Sequence, residues 1–268
     1  MIEWPWLHMG QPQKVLRVLP EGVAHAVISC GVDNKEDRKS FRSEYGPLFR
    51  YLLRACRPGA HFVCSVSPVR AHWVCYELEG SGWEIRDRLS FVSRNESVHW
   101  VIARAPLSDH TVSRNVLSHD AGAINAGACR YGEKQRWPAN FVMSHLNGCG
   151  DVCESGCIVS ELRGSEYFDC MTMKELLSWF VRLTTRPKQV VLDISMVSGC
   201  VGIACGEQDR KFIGISTCEE DYRTSRQSIL KVVDINGAKR PKSRQGAISP
   251  KTKRARRVLN GIENGGVL

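Results

Sequence analysis

Short apolar runs alternate with amphipathic segments over the first hundred residues of the chain. Residues 24–32, AHAVISCGV, form an apolar run between turn residues, which is typical of a buried strand. Residues 45–56 place Leu48, Leu52 and other apolar side chains on one face of a helix that stops before a Pro-Gly pair. The alternation predicts strand–helix units around a mostly parallel sheet, and therefore an α/β protein.

The same periodicities predict the remaining elements. Helices are expected at 13–19, 69–79, 175–183, 200–206 and 219–232, and strands at 61–67, 83–92, 98–106, 188–195 and 211–216. Strands 83–92 and 98–106 are expected to be antiparallel neighbours. Residues 33–43 are expected to form a polar loop.

Two segments show neither the helical nor the strand periodicity of apolar residues. Residues 105–165 are rich in Gly, Asn, Ser and Cys, and a structureless loop of that length is uncommon in a compact domain, so we interpret them as an inserted functional region. From residue 236 onward, Pro, Gly, Ser and basic residues predict a disordered tail. The expected organisation is one domain over 1–235 with an insertion at 105–165, followed by a basic tail over 236–268.

Composition and charge refine this organisation. The 268 residues are 43% hydrophobic and 24% charged, which excludes wholesale disorder, and the length excludes a small disulfide-bonded scaffold. Residues 239–257 of the tail contain nine basic residues and no acidic residue, and the rest of the chain has 28 of each, so this stretch accounts for the net charge of +9. We expect the basic residues of the tail to bind DNA phosphates, and a nuclear import signal or a solvated terminus is the alternative. These basic residues are Lys239, Arg240, Lys242, Arg244, Lys251, Lys253, Arg254, Arg256 and Arg257.

Twelve cysteines are numerous, but the first residues lack the basic and apolar regions of a secretory signal. We therefore interpret the cysteines as reduced thiols of an intracellular protein. Uncharged stretches such as 194–206 are shorter than the ~20 residues of a membrane-spanning helix, so no membrane anchor is expected. The expected location is cytoplasmic or nucleoid-associated, or nuclear in a eukaryotic host.

Two cysteine patterns suggest chemistry. Cys30 follows a strand, where an activated thiol could be a nucleophile, but a small buried side chain is the expected role. A second pattern has one His and three Cys at spacings of four, interrupted by glycines, and we expect a plain Cys-rich loop there rather than zinc. The ligands in the alternative metal interpretation are His145, Cys149, Cys153 and Cys157.

Several phrases resemble a known family. LHMGQPQKVLRVLPEGVAHAVIS, APLSDHTVSRNVLSHDAGAINAGACRY, RWPANFV, VVLDISMVSGCVGIA and KFIGIS are similar to β-class amino-group DNA methyltransferases, which modify adenine N6 or cytosine N4. The resemblance runs from about residue 7 to residue 229. It implies a Rossmann-like S-adenosylmethionine-dependent sheet with helices on both faces, target recognition by the 105–165 region, and a phage or prophage context.

The residues that carry the family's chemistry are altered. The family's Asp-Pro-Pro-Tyr accepts hydrogen bonds from the target amine and stacks on the flipped base. A thiol is a weak acceptor and a carboxylate has no ring to stack, so the resemblance implies that no catalytic position is intact. The four corresponding positions are Cys30, Gly31, Val32 and Asp33.

The cofactor motifs are altered in the same way. In the loop after the strand at 188–195, Val197 replaces a turn glycine for which a β-branched residue would be strained at positive φ. Ser216 replaces the acidic residue that binds the ribose, and the family's His-Pro-Thr-x-Lys-Pro keeps only Thr and Lys. The resemblance leaves these candidate cofactor-binding positions: Asp193, Ser198, Gly199, Ser216, Thr172 and Lys174. S-adenosylmethionine is expected to bind weakly or not at all.

The sequence thus predicts a catalytically inactive DNA-methyltransferase-like protein that keeps a DNA-binding or partner-binding role. The expected partners are DNA and a second subunit, in a homodimer or in a heterodimer with an active methyltransferase. One alternative is an active, site-specific adenine-N6 or cytosine-N4 methyltransferase. The other is an interaction decoy directed at restriction or defence proteins.

Overall fold

The computed structural model describes residues 4–32, 35–93, 96–130, 137, 139–146, 149, 153–155, 157–161 and 169–239. Within them the strands form one nine-stranded sheet in the order β1-β9-β8-β2-β3-β5-β4-β6-β7. The strands are β1 (Trp6–Met9), β2 (Ala24–Ser29), β3 (Cys56–Val66), β4 (Glu84–Val92), β5 (Ser97–Arg104), β6 (Phe141–Met143), β7 (Asp169–Cys170), β8 (Val190–Asp193) and β9 (Lys211–Ser216).

Helices connect most of these strands. They are α1 (Pro12–Val18), α2 (Arg38–Ala55), α3 (Ala71–Gly80), α4 (Val112–His119), α5 (Ile158–Glu161), α6 (Met173–Thr184), α7 (Cys200–Glu207) and α8 (Glu219–Lys239). Over the part of the chain that the structure describes, none of them has the length and apolar character needed to cross a membrane.

The sheet is parallel except at β5, which runs antiparallel to both β3 and β4. This confirms the predicted α/β class and the antiparallel pairing of the strands predicted at 83–92 and 98–106. The chain proceeds from β2 to β3 on one side and from β8 to β9 on the other, so β2 and β8 flank a topological switch point. Loops that follow parallel strands meet at the carboxyl edge of the sheet, and ligands bind there in folds of this kind.

Both faces of the sheet are covered, which explains why β2 is buried at all six positions. On one face, side chains of α1, α2 and α3 pack on the sheet, with Leu16, Phe49 and Leu78 fully buried. On the other face, α6, α7 and α8 form a second core around Phe180 and Ile229. Two helical layers around one sheet are the expected doubly wound architecture.

Several predicted boundaries were wrong. The predicted polar loop at 33–43 ends early because α2 begins at Arg38, where the Asp37 carboxylate accepts a hydrogen bond from the Ser40 backbone at 2.9 Å and caps the helix. Phe41 is fully buried on this added turn, so core packing favours the helix over its polar sequence. Helix α8 continues to Lys239, beyond the expected end at residue 232 and into the predicted tail; residues 240–268 lie outside the described part of the chain.

The insertion also contains a helix that its sequence did not indicate. Asn115 of α4 is completely buried. Its amide nitrogen donates to the carbonyls of Pro58 at 2.9 Å and Ala121 at 2.8 Å, and its oxygen accepts from the Ser108 backbone at 3.0 Å. The Asn115 side chain thereby joins the start of the insertion to Pro58, near the beginning of β3.

We expect Asn115→Ala to lower the free energy of unfolding by about 2–4 kcal/mol, because a fully buried side chain and its three hydrogen bonds to the backbone are lost. Urea unfolding followed by circular dichroism measures the change. Ser113→Ala, on the exposed face of the same helix, is the matched control and should lie within about 0.5 kcal/mol of the wild type. Equal stabilities of the two variants would contradict the anchoring role.

Candidate functional site

The carboxyl ends of β2 and β8 meet at the switch point through a buried polar network. The Ser29 hydroxyl donates to Asp193 Oδ1 at 2.9 Å and lies 2.8 Å from the Ser195 hydroxyl oxygen. The Ser195 backbone donates to the same carboxylate oxygen at 3.0 Å, and its hydroxyl donates to the carbonyl of Cys30. The polar groups at this crevice therefore bind one another and tie the two strand ends together.

Asp193 is the one carboxylate of this network. Its side chain is buried, and this burial raises the pKa of the carboxyl group to about 6, while the hydrogen bonds from Ser195 and Ser29 act in the opposite direction. Desolvation thus outweighs the hydrogen bonds. The carboxyl group takes up a proton at mildly acidic pH.

Cys30 lies where the sequence resemblance places the family's acid. Burial raises the pKa of its thiol well above the usual value, and the nearby Asp193 carboxylate and Cys200 raise it further. A thiol with a raised pKa stays protonated at neutral pH, so it provides neither a charged acceptor for an amine nor a thiolate nucleophile. Cys30 is half-buried and packs against the second core, so the geometry favours a structural role for this side chain over a nucleophilic one.

The next positions of this loop are held by β3. The Gly31 backbone donates to the Ser65 hydroxyl at 2.7 Å, and the Val32 backbone donates to the Ser65 carbonyl at 3.2 Å. Gly31 has φ of 71°, which favours glycine, and Val32 is buried. Asp33, the fourth predicted position, lies outside the described residues.

The loop from Asp193 to Gly199 accommodates its valine without strain. Among the described residues other than glycine, positive φ occurs at Asp120, Lys188 and Asp209, so the expected strain at Val197 was wrong. The left-handed position is Gly199, with φ of 70°, at the start of α7. A Cβ atom there would lie 3.0 Å from Ser225 of α8, so the retained glycine is required for packing as well as for backbone conformation.

Apolar side chains occupy the inner side of the same loop. Ile194 and Met196 are buried, and the Met196 sulfur would lie 2.5 Å from a Cβ atom built on Gly214 of β9. The Met196 backbone also donates to the Ile215 carbonyl at 2.8 Å. The loop is therefore packed down onto β9.

At the end of β9, Ser216 is buried and makes local hydrogen bonds. Its hydroxyl donates to the Cys218 carbonyl at 3.1 Å, and its backbone carbonyl accepts from Gly10 at 2.8 Å. A hydroxyl engaged in this turn does not offer the paired acceptor that a carboxylate gives to two ribose hydroxyls. Together with the packed Met196, this residue does not fit S-adenosylmethionine in the manner that the family motifs imply.

The remaining predicted cofactor residues have other partners. Thr172 caps α6 in a capping box with Glu175, whose carboxylate accepts from the Thr172 backbone at 2.7 Å. Lys174 Nζ pairs with Glu207 at 3.0 Å, at the end of α7 opposite to Gly199. Ser198 hydrogen-bonds Cys200 at 3.2 Å. The cofactor role of these residues stays a prediction, and the structure does not bring Lys174 to the Asp193 loop.

Sequence reasoning missed Ser29, Ser195 and Ser65, which form most of the polar contacts at this crevice. Ser29 is a polar residue at the end of an otherwise apolar strand, and that signal could have identified it. Ser195 and Ser65 give no comparable signal, because their partners lie more than thirty residues away in sequence.

The predicted Cys-rich loop is brought together at the same carboxyl edge, beyond the end of β6. The ligand atoms of its histidine and three cysteines lie within 4.8 Å of one another. These four residues are His145, Cys149, Cys153 and Cys157. They lie in loops and directly before α5, and so do not share one face of a helix. The basic residues from Arg240 to Arg257 lie outside the described part of the chain, as do the side-chain contacts of Lys239.

No family model and no curated protein sequence matches this chain. Solved structures do match it. TTHA0409 from Thermus thermophilus, assigned as a DNA modification methylase, has a TM-score of 0.59 at 15% identity over 85% of this chain and 95% of that chain. The cytosine-N4-specific PvuII DNA methyltransferase has a TM-score of 0.57 at 13% identity over 100% of this chain and 97% of that chain. M1.HpyAVI in complex with S-adenosylmethionine has a TM-score of 0.55 at 16% identity over 84% of this chain and 98% of that chain. The predicted fold is confirmed: this chain has the α/β fold of S-adenosylmethionine-dependent methyltransferases.

Proposed function

We propose that this chain is a catalytically inactive DNA-methyltransferase-like protein that binds DNA. The observation that carries the loss of activity is Cys30, a neutral thiol at the end of β2 where the family has a carboxylate. Amine methylation by this family needs an acceptor whose hydrogen bond from the amine strengthens in the transition state. A protonated thiol is a poor acceptor.

The neighbouring contacts support this proposal. The Cys30 carbonyl already accepts a hydrogen bond from Ser195, and the Gly31 and Val32 backbone groups bind β3. These contacts fix the loop by bonds within the protein. The polar groups of the crevice are thus already hydrogen-bonded within the protein, which favours a structural role over binding of a substrate amine.

The cofactor side of the crevice supports it independently. Asp193 accepts hydrogen bonds from Ser29 and Ser195, and Ser216 is engaged with Cys218. We therefore expect S-adenosylmethionine to bind weakly or not at all. The retained Gly199 does not argue against this, because α8 requires it for packing.

The DNA-binding part of the proposal comes from charge. Outside residues 239–257, basic and acidic residues are equal in number, so the net charge available to phosphates lies from the last residue of α8 onward. If the tail does not bind DNA, the alternative contacts lie in or beside the insertion, at Arg104, Arg114, Arg130, Lys134 and Arg136. Arg104, at the end of β5, pairs with Glu84 at 2.5 Å and is nearly buried, which argues against it as a DNA contact. Arg114 is exposed on α4. Lys134 and Arg136 lie outside the described residues.

We expect no methyl transfer from labelled S-adenosylmethionine to duplex or hemimethylated DNA, because loss of a preorganised acceptor lowers rates by ~10²–10³ or more. Incorporation of the labelled methyl group is measured alongside a calorimetric titration of the cofactor. Turnover above background that Cys30→Ala abolishes would falsify the proposal and establish the active-methyltransferase alternative.

We expect Asp193 to link stability to pH. Its folded pKa of about 6 lies above that of an unfolded aspartate, ~3.9, so the folded state binds the proton more tightly. Stability from this group is present at low pH and is lost as the pH rises through about 6. Between pH ~4 and ~7, the wild type should lose up to about 3 kcal/mol relative to Asp193→Asn in urea titrations.

Ser29→Ala gives a second readout of the same linkage. Removing the hydroxyl removes a hydrogen bond that lowers the Asp193 pKa, so the pH of the stability change should move upward. A wild-type-minus-Asn difference that does not vary with pH would show that the carboxyl group is not desolvated.

We expect a chain that ends at Lys239 to bind random duplex DNA much more weakly, with a flatter salt dependence. The slope of log K against log salt should fall by ~0.9 for every phosphate that the tail no longer neutralises. Fluorescence anisotropy over a salt series measures both quantities. A full-length variant with glutamine at Lys251, Lys253, Arg254, Arg256 and Arg257 controls for chain length and should lie between the two.

An unchanged affinity and slope in the shortened chain would assign DNA contacts to the insertion. Absence of duplex binding by the full chain would instead favour the interaction-decoy alternative. Helix α8 is complete in the shortened chain, so its folding should be unaffected.

A further inference from the structure

The cluster of one histidine and three cysteines described above lies between two strands at the edge of the sheet. His145 follows β6 directly, and the Ser144 backbone donates to the Val92 carbonyl at 2.9 Å, which fixes the start of the segment. Cys157 lies at the start of α5, where the Ser160 backbone and hydroxyl both donate to its carbonyl. The chain then returns to pair with β6 as β7.

The distances within the cluster match those of a tetrahedral metal site. The Cys153 and Cys157 sulfurs lie 3.4 Å and 3.6 Å from His145 Nδ1. With zinc–sulfur bonds of ~2.3 Å and zinc–nitrogen bonds of ~2.05 Å, a tetrahedron places nitrogen and sulfur ligands about 3.5 Å apart. One imidazole nitrogen therefore has two sulfurs at the separation that a shared ion requires.

The surroundings of the cluster indicate that something besides apolar packing holds this segment. Its own core contains three buried residues, Met143, Cys157 and Val159, and is separate from the two large cores of the sheet. So small a core supplies little of the free energy needed to order a loop of this length. None of the three cysteines of the cluster is in a disulfide, so no disulfide supplies it either.

We propose that His145, Cys149, Cys153 and Cys157 bind one Zn²⁺ ion in a closed structural site. Thiolate and imidazole ligands favour zinc over the oxygen-binding cations, and four protein ligands complete its tetrahedral shell. Each thiol releases its proton to solvent on binding, so the occupied site contains three thiolates and one neutral imidazole. The absence of an open coordination position makes the site structural rather than catalytic.

A contact outside the four ligands supports the assignment. The Glu154 backbone donates to the Cys149 sulfur at 3.4 Å. N–H groups directed at sulfur are outer contacts that orient and stabilise a metal-bound thiolate. Glu154 is exposed between two of the ligands, so its peptide bond reports whether the segment is ordered.

The first test is metal content. The full chain, purified under reducing conditions, should contain about one zinc per molecule by elemental analysis. Cys153→Ser and His145→Ala should lose it, whereas Cys218→Ser, a matched substitution at an exposed thiol outside the cluster, should keep it. Cobalt substitution should give thiolate charge-transfer and tetrahedral ligand-field bands in the wild type and in Cys218→Ser, and not in Cys153→Ser.

The second test keeps the proposal falsifiable if a ligand variant fails to fold. Chelation of the wild-type chain should expose the Glu154 bond to a glutamate-specific protease, with the sheet intact by circular dichroism, and added Zn²⁺ should restore protection. Zinc-free wild-type protein whose Glu154 bond is already protected would overturn the proposal. So would zinc retained equally by all four proteins, or a disulfide within the cluster after anaerobic reduction and purification.

Discussion

Burial of the central strands on both faces is the constraint on which the rest of the structure depends. Helices cover both sides of β2 and β8, so apart from His25 their side chains are apolar until the strands end. Polar chemistry is therefore confined to the carboxyl edge, where Ser29 and Asp193 meet. In this chain the groups at that edge satisfy one another. At the edge where folds of this kind bind ligands, these hydrogen bonds join the two halves of the sheet.

Desolvation controls the titration of several groups on and directly after the central strands. It raises the pKa of Asp193 and of Cys30, and it lowers the pKa of His25, on β2, to about 3. The neutral His25 ring accepts a hydrogen bond from the Val190 backbone at 3.2 Å and so also links β2 to β8. The low-dielectric centre thus favours the neutral form of an acid, a thiol and a base, which suits structural hydrogen bonding better than chemistry that needs a charged group.

The insertion between β5 and α6 uses polar anchors where the main domain uses apolar packing. At its beginning, the buried Asn115 side chain binds three backbone groups from separate parts of the chain. At its end, the proposed zinc site would fix the loop between β6 and β7 against a core of three residues. Segments with few apolar residues need such directional contacts to hold one conformation. In the residues of the insertion that the structure describes, a few specific side chains thus take the place of a large apolar core.

The sequence by itself determined the α/β class, the positions of most strands and helices, and the parallel sheet, because apolar periodicity is a local property of the chain. It also identified Cys30 and Ser216 as departures from the family's chemistry. Only the tertiary structure decided how these positions are used. Val197 is unstrained, Gly199 is required by α8, and Lys174 pairs with Glu207, since each depends on a neighbour distant in sequence. The same holds for the four cysteine and histidine ligands: their spacing suggested a loop without metal, whereas the turns between them bring the ligand atoms within 4.8 Å of one another, which no periodicity encodes.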